Sequence, residues 1–491
     1  MTTILGYLYT AVLCGLALYA LHIATLIVLY LWHHREAPPP LPRIDEDKLP
    51  IVTVQIPLRN ERYVVKHILQ AVAAFDWPRD RLHIQILDDS DDDTTALAAI
   101  EVEHLQAQGC RAQLLHRQRP EGHKAGALAV GLHQARGDFI AIFDADFCPA
   151  PDFLRLTVPH LVADPTLGMV QARWGHLNAD YSLVTRAEAL ALDAHFTVEH
   201  IARNRSELMM NFNGTAGVWR RRAIETSGGW QTDTLAEDLD LSYRAQLAGW
   251  KVLYLPNVVA PAELPPLVAA FKQQQYRWAK GAMQTLRKLA GPIVRSRQLN
   301  FFQKTMALLH LSGYVTQPLL LLLVLLTLPM AIYTPHLPTL VAALGTLTML
   351  PPVLYLLGQM ELHRDWFRRI FIYPVLMLLG FGITWNTTMA VIDGCLHWGG
   401  EFRRTPKFRL WGQQGTWRNS HYRVPIDKAL PGEIIISLYA IVVLIAALQW
   451  RQTSMIPLAL VCLIGEGLVL WGTLLQAQHQ NGHHHKNKQE R

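Results

Sequence analysis

Residues 4–32 read ILGYLYTAVLCGLALYALHIATLIVLYLW, a run without an Asp, Glu, Lys or Arg. A helix needs roughly 20 apolar residues to cross the hydrocarbon core of a bilayer, and this run exceeds that length. A secretory leader would show a basic start, a shorter apolar core and a small-residue cleavage site. The run has none of these and is expected to remain as an anchor. Composition agrees, since 51% of the 491 residues are hydrophobic and 17% are charged, too apolar for an ordinary soluble enzyme of this length.

Further apolar runs at about 312–333, 339–358, 433–450 and 455–476 are candidate spans, and a shorter one lies at about 370–383. Basic loops favour the cytoplasmic side. The stretches HHREAPPPLPR, HRDWFRR, EFRRTPKFR and HHHKNKQER can all lie there only if 370–383 does not cross. That run is therefore expected to be re-entrant or interfacial, which is allowed where protein or a water-filled cavity covers its backbone. The N-terminus then lies outside. Net charge is +6, and the basic residues gather beside apolar segments instead of forming a patch suited to nucleic acid, so no nucleic-acid partner is expected. Cys14, Cys110, Cys148, Cys395 and Cys462 show neither disulfide nor zinc spacing.

From residue 45 to 262 the pattern changes. After Pro38, Pro39, Pro40 and Pro42, the strand-like runs IVTVQIP, LHIQILD, AQLLH and FIAIFDAD alternate with helical stretches around 61–75, 93–107 and 123–135. Such alternation predicts a mostly parallel sheet covered by helices. Ligands bind at the carboxyl ends of strands in such sheets, so the polar residues to inspect are those where an apolar run stops.

Two runs stop on acids. IQILDDSDDDT brings Asp88 and Asp89, and FIAIFDADF brings Asp144 and Asp146. Residues two apart on an extended segment point the same way, so Asp144 and Asp146 can offer carboxylates to one hard cation, Mg²⁺ or Mn²⁺. Such a cation would neutralise a leaving diphosphate. Asp91, Asp92 and Asp93 suit the start of the next helix instead. In EGHKAGALAVGL, Lys124 and Gly126 stand where a helix begins, which fits a diphosphate clamp and equally an ordinary helix start. In TLAEDLDLSYRAQL the helical spacing of Leu239, Tyr243 and Leu247 puts Glu237 and Asp238 in the first turn. Asp240 and Arg244 form an i,i+4 pair, which leaves Glu237 and Asp238 free for chemistry. Finally QQQYRWAKG, residues 273–281, crowds Gln274, Arg277 and Trp278 onto one short stretch just before the apolar half of the chain.

The ordered set DDS, DAD, AED and QQYRW, followed by membrane helices, resembles the membrane-embedded glycosyltransferase family 2 enzymes such as cellulose synthase, hyaluronan synthase and the plant mannan synthases. The resemblance extends to HKAGAL, VQARWGHLN, FNGTAGVWR and GEFRRTPKF, so it covers nearly the whole chain. It implies an α/β GT-A-type cytosolic domain (45–262) behind an N-terminal anchor (1–36). Amphipathic interface helices (263–311) and an α-helical transmembrane domain (312–491) with a gating-like loop (401–412) would follow. By position it implies that Asp238, with Glu237 beside it, is the catalytic base. Asp88, Asp89, Lys124, Asp144, Gln274, Arg277, Thr405 and Lys407 would contact nucleotide and diphosphate. Asp144 and Asp146 would hold the metal, and Trp278, Gly214, Thr215 and Trp174 would line the acceptor path.

Two departures stand out. The family's Thr-Glu-Asp reads Ala236-Glu237-Asp238, which loses a hydroxyl and keeps the base. The gating signature F-x-V-T-x-K reads Phe402, Arg404, Thr405 and Lys407, with arginine in the valine position and Pro406 inside the loop. No chain follows the last apolar run for a C-terminal cyclic-dinucleotide domain, so regulation by that route within this chain is not expected. The resemblance implies inverting, metal-dependent transfer from a UDP-sugar or GDP-mannose to a growing β-linked polysaccharide, with the product moved into or across the membrane. The alternatives are a non-processive enzyme that glycosylates a lipid acceptor, and a transporter whose soluble domain only binds nucleotide. The setting it implies is a bacterial inner or plasma membrane, with membrane lipids and accessory export subunits as further partners.

Overall fold

The computed structural model describes residues 2–333, 344, 346–347, 350–418, 420–422, 424–425 and 428–489, with side chains as far as 476. The long apolar run is one helix, α1 (Thr2–His33). Strands and helices then alternate as β1 (Val52–Leu58), α2 (Val65–Ala73), β2 (Leu82–Asp88), α3 (Thr94–Ala107), β3 (Arg111–His116), α4 (His123–Gln134), β4 (Phe139–Ile142) and α5 (Phe153–Ala163). The second half of the domain carries β5 (Leu167–His176), α6 (Leu183–Ala194), α7 (His200–Arg205), β6 (Gly217–Arg220), α8 (Arg221–Thr226), α9 (Glu237–Leu247) and β7 (Lys251–Ala262). The long helix α10 (Val268–Arg295) follows.

The seven strands form one sheet in the order β3-β2-β1-β4-β6-β5-β7. Among them β6 runs antiparallel to both neighbours, and the other pairs are parallel. Side-chain alternation divides the strands between two cores. Val52, Val54, Ile56 and Leu58 of β1 join Val65, Ile68, Leu69 and Val72, the one apolar stripe of α2. Ile140 and Ile142 of β4 face the other way, onto Leu128 and Leu132 of α4 and Leu241 and Ala245 of α9. Both faces being covered, the strands read as continuous apolar runs. Pairing of β1 with β4 stops at Gln55 and Ile142, so Asp144 and Asp146 lie past the strand end where the sheet order changes direction.

Among the described residues, four helices are long and apolar enough to cross a membrane: Thr2–His33, Gly313–Tyr333, Leu430–Gln449 and Thr453–Gln476. The expected span 339–358 lies largely outside the described residues, which resume there with a helix at Pro351–Leu362. The run 370–383 belongs to a bent pair, Trp366–Gly382 and Thr384–Leu396, with 52° between the halves. Just before the pair, His363 contacts Asp193 of α6 at 3.1 Å. Just after it, the Gly399 amide donates to the Asp233 carbonyl at 3.0 Å. Both ends of the pair thus rest on the α/β domain.

Candidate active site

A cleft at the carboxyl end of the sheet gathers most of the expected site residues. Its floor carries Asp89, Asp144 and Asp146, and its sides carry Lys124, Glu237, Asp238 and Gly214. Trp174, Gln274, Arg277, Trp278, Thr405 and Lys407 close it from β5, α10 and the 401–412 loop. Two expected contacts stand behind this wall. Asp88 is fully buried and its carboxylate accepts from the Ser90 amide (3.1 Å), Thr95 Oγ1 (2.6 Å) and His116 Nδ1 (2.8 Å), which fixes the loop that presents Asp89. Thr215 is equally buried and its Oγ1 accepts from the Asp144 amide at 2.9 Å, so it holds Asp144 in place.

Each aspartate of the DAD string meets a lysine. Lys124 Nζ donates to Asp144 Oδ1 at 2.5 Å and to the Gly214 carbonyl at 3.0 Å. Lys407 Nζ donates to Asp146 Oδ2 at 2.6 Å and to the Glu263 carbonyl at 3.0 Å. Burial works against both lysine charges. Asp144 followed by Glu237, and Asp146 followed by Glu263, outweigh it and hold both lysines above their ordinary pKa. Lys124 reaches Asp144 because α4 starts on two left-handed residues, Gly122 at φ 71° and His123 at φ 51°. Asp89 is gripped by Arg117 through two nitrogens, at 2.7 and 2.5 Å.

Asp238 lies in the first turn of α9, as its sequence spacing requires. Burial raises its pKa, and Lys124 opposes the rise. Glu237 beside it is lifted to about 7 by burial and by the Asp238 charge. A buried carboxyl lifted in this way is a better proton acceptor than an exposed one. Gly214, at φ 83°, allows the close approach, since a Cβ there would stand 2.8 Å from Asp238 Oδ2 and 3.3 Å from Lys124 Nζ.

The QQQYRWAKG stretch lies on α10, where nearly every side chain is engaged. Gln274, Arg277 and Trp278 line the cleft, and the Arg277 guanidinium lies 4.7 Å from the centre of the Phe402 ring. Tyr276 and Lys280 bind Asp393 at 2.8 and 2.6 Å. Gly281 meets the backbone just before α9, where an added Cβ would lie 2.8 Å from the Ala236 nitrogen and 3.0 Å from the Leu235 carbonyl carbon. Gln284 accepts from the Leu235 amide at 2.9 Å and donates to the His397 and Gly399 carbonyls at 3.0 and 2.8 Å. The basic residues of this helix that would suit a lipid surface turn to protein: Lys272 to Glu433, Lys280 to Asp393, Arg287 to the Gly394 carbonyl and Lys288 to Asp233.

The loop 401–412 enters the cleft. Arg404, in the family's valine position, pairs with Glu61 at 3.2 Å, donates to the Arg59 carbonyl at 2.7 Å and covers the Tyr422 ring at 4.2 Å. Glu263 accepts the Phe408 and Leu410 amides at 2.8 and 3.1 Å. Burial raises both Glu61 and Glu263 to about 7, against the pull of Arg404 and of Lys407 respectively. Glu61, Glu188, Glu263 and His176 are cleft residues that sequence reasoning missed. They sit in ordinary-looking strings such as RNERY and PAELPP, and only the fold makes them neighbours.

Residues 50–281 match the family described as Glycosyltransferase like family 2. The chain carries a family 2 glycosyltransferase domain. Its fold is of the GT-A type, and a mannosyltransferase from Pyrobaculum calidifontis, solved with GDP-Man and Mn²⁺, superposes with a TM-score of 0.53. The match has 20% identity and covers 79% of this chain and 99% of that one. Glucomannan 4-beta-mannosyltransferase 2 of Arabidopsis thaliana is 42% identical over 53% of this chain and 50% of its own. Glucomannan 4-beta-mannosyltransferase 9 of the same plant is 38% identical over 64% of this chain and 63% of its own. The chain thus spans between half and less than two thirds of the length of these curated relatives. They are plant enzymes, and they give no support to the bacterial setting expected above.

Proposed function

We propose that the family 2 domain transfers mannose from GDP-mannose to the end of a growing β-linked mannan at the membrane, with inversion at the anomeric carbon and passage of the product through the helical half. The observation that carries this reading is a single cleft in which half-buried Asp238, the paired Lys124–Asp144 and Lys407–Asp146 floor and Trp278 converge. The similarity to glucomannan 4-beta-mannosyltransferases supports mannose and a polysaccharide product. No observation favours a lipid acceptor.

Asp238 takes the proton of the acceptor hydroxyl as that oxygen attacks the anomeric carbon and the bond to the diphosphate breaks. Direct displacement from an α-linked donor leaves a β-linkage, and one base suffices where hydrolytic enzymes need two opposed carboxyls. Lys124, Arg277 and Lys407 supply positive charge toward the departing diphosphate. Trp278 offers an indole face to the C–H face of the acceptor's last sugar. The residues present also fit a divalent cation. Asp144 and Asp146 are hard oxygen donors two positions apart on the cleft floor, and a Mg²⁺-type site needs only one or two carboxylates beside substrate phosphates. Held there, the cation would neutralise charge on the diphosphate.

The test is incubation of the purified protein with labelled GDP-mannose and a panel of UDP-sugars, followed by product sizing and linkage analysis. A long β-linked mannan from GDP-mannose is expected. One or two sugars on a lipid, or no turnover of any donor, would replace this reading by the glycolipid or the transporter alternative.

A further inference from the structure

Two acids on α6 behave in opposite ways. Asp193 is 5% exposed and its carboxylate is fully used, by His176 Nε2 (2.8 Å), Gln359 Nε2 (2.8 Å) and His363 Nε2 (3.1 Å). Burial would raise its pKa, and these partners hold it well below the ordinary carboxylate range. That is how a structural buried acid is satisfied. Glu188, at 3% exposed, is buried as deeply and lines the cleft. Neither of its oxygens has a hydrogen-bond partner of ordinary geometry among the described residues, and the Gln274 side chain beside it makes only a weaker interaction. Leaving a buried polar group unpaired costs about 1–3 kcal/mol, so such a group in a cleft wall is placed for something that arrives. Trp174 Nε1 and Gln274 Oε1 are among the other unpaired atoms of residues that line the cleft. Trp174 and Trp278 pack against one apolar cluster, so their rings are held from behind by the same residues.

We propose that Glu188 reads the acceptor: with Trp174 Nε1 and Gln274 Oε1 it receives the hydroxyls of sugars resting beside Trp278 and so sets the register of the chain against Asp238. This deepens the polysaccharide reading above and rests on it. A sugar hydroxyl both donates and accepts, and so does an uncharged carboxyl. Burial lifts Glu188 to about 8, with Lys407 and Gln274 pulling the other way, so it carries a proton at neutral pH. Indole N–H gives the wall a fixed donor and amide oxygen a fixed acceptor. A diphosphate would be a poor occupant of the same place, because the wall offers it an acceptor and an apolar ring where it needs positive charge.

The test uses the full chain in detergent or nanodiscs, with GDP-mannose as donor and β-linked mannotetraose as acceptor. Glu188→Leu should raise KM for mannotetraose by at least about tenfold, the size of one hydrogen bond, with KM for GDP-mannose unmoved. Glu188→Gln, which keeps both a donor and an acceptor, should restore most of that loss. Thermal stability separates this from a packing role, since replacing an unpaired buried polar group by an apolar one of similar size should leave Tm equal or higher. An unchanged mannotetraose KM in active Glu188→Leu would overturn the inference. So would a lowered Tm together with a raised GDP-mannose KM. Failure of the unmodified protein to transfer mannose at all would overturn the polysaccharide reading and this inference with it.

Discussion

Asp238 keeps its carboxylate within reach of the Leu239 amide at 2.8 Å and close to Lys124 on the cleft wall. Asp238→Asn keeps that shape and cannot accept a proton, so transfer should fall by about 10² or more while GDP-mannose binding survives. Near-normal turnover would remove Asp238 from the mechanism. The raised pKa values have a sign that can be checked. A base must be ionised to work, and a pKa lifted above the ordinary aspartate value of about 3.9 means protonation begins at higher pH. With Asp238 raised by burial, kcat/KM should begin to fall, as pH drops, at a pH above the ordinary aspartate range. A profile flat to about pH 5 would put the acids back in the ordinary range. Chelation tests the floor of the cleft: EDTA should abolish transfer, Mg²⁺ or Mn²⁺ should restore it, and Asp146→Ala should not be rescued. Full activity in chelator would remove Asp144 and Asp146 as metal ligands. At this scale the sequence was legible where chemistry forces a pattern, as in acids at strand ends and in a helix's first turn. It was opaque for Glu188 and Glu263, whose meaning depends on partners reached only through folding.

Among the elements, α10 is the one on which the others depend. It carries Gln274, Arg277 and Trp278 on the cleft side, binds the 397–399 backbone through Gln284, and touches the approach to α9 at Gly281. Gly281→Val would push α10 off Leu235 and Ala236 and so separate Trp278 from Asp238. Displacement of reacting groups by about 1 Å costs about 10²-fold, so kcat should drop by that order while affinity for GDP, set by the strand-end residues, changes little. Equal loss of both would show that the contact only holds the fold together. The strand and helix runs of the first half, from β1 to β4, were legible because burial on both faces writes apolar strings and helix stripes. The second half was harder to read: β5 and β7 carry Arg173 and Pro256 within them, and α6 passes into α7 through a π-helical turn at His195–Glu199 that no period anticipates.

For the molecule as a whole, the bent pair from Trp366 to Leu396 begins and ends on the α/β domain, and by length and composition it is either one broken span or a segment that enters the membrane and returns. Single cysteines in an otherwise cysteine-free chain test this in intact cells. One at Ser454, in the exposed turn before the last helix, should react with an impermeant thiol reagent, and one at Gln413, beside the cleft loop, should be protected. Labelling at Gln413 would place the loop on the wrong side for Lys407 to meet Asp146. The close seat of α10 at Gly281 has a mechanical meaning as well. Only a hydrogen atom separates the helix from Leu235 and Ala236, so Asp238 and Trp278, the proposed proton acceptor and stacking platform, are bolted to one frame. On the proposed reading, a new sugar would come into line with Asp238 only by sliding past both, as a thread passes a fixed gauge, so the frame would measure out the product and leave the hauling to something that moves.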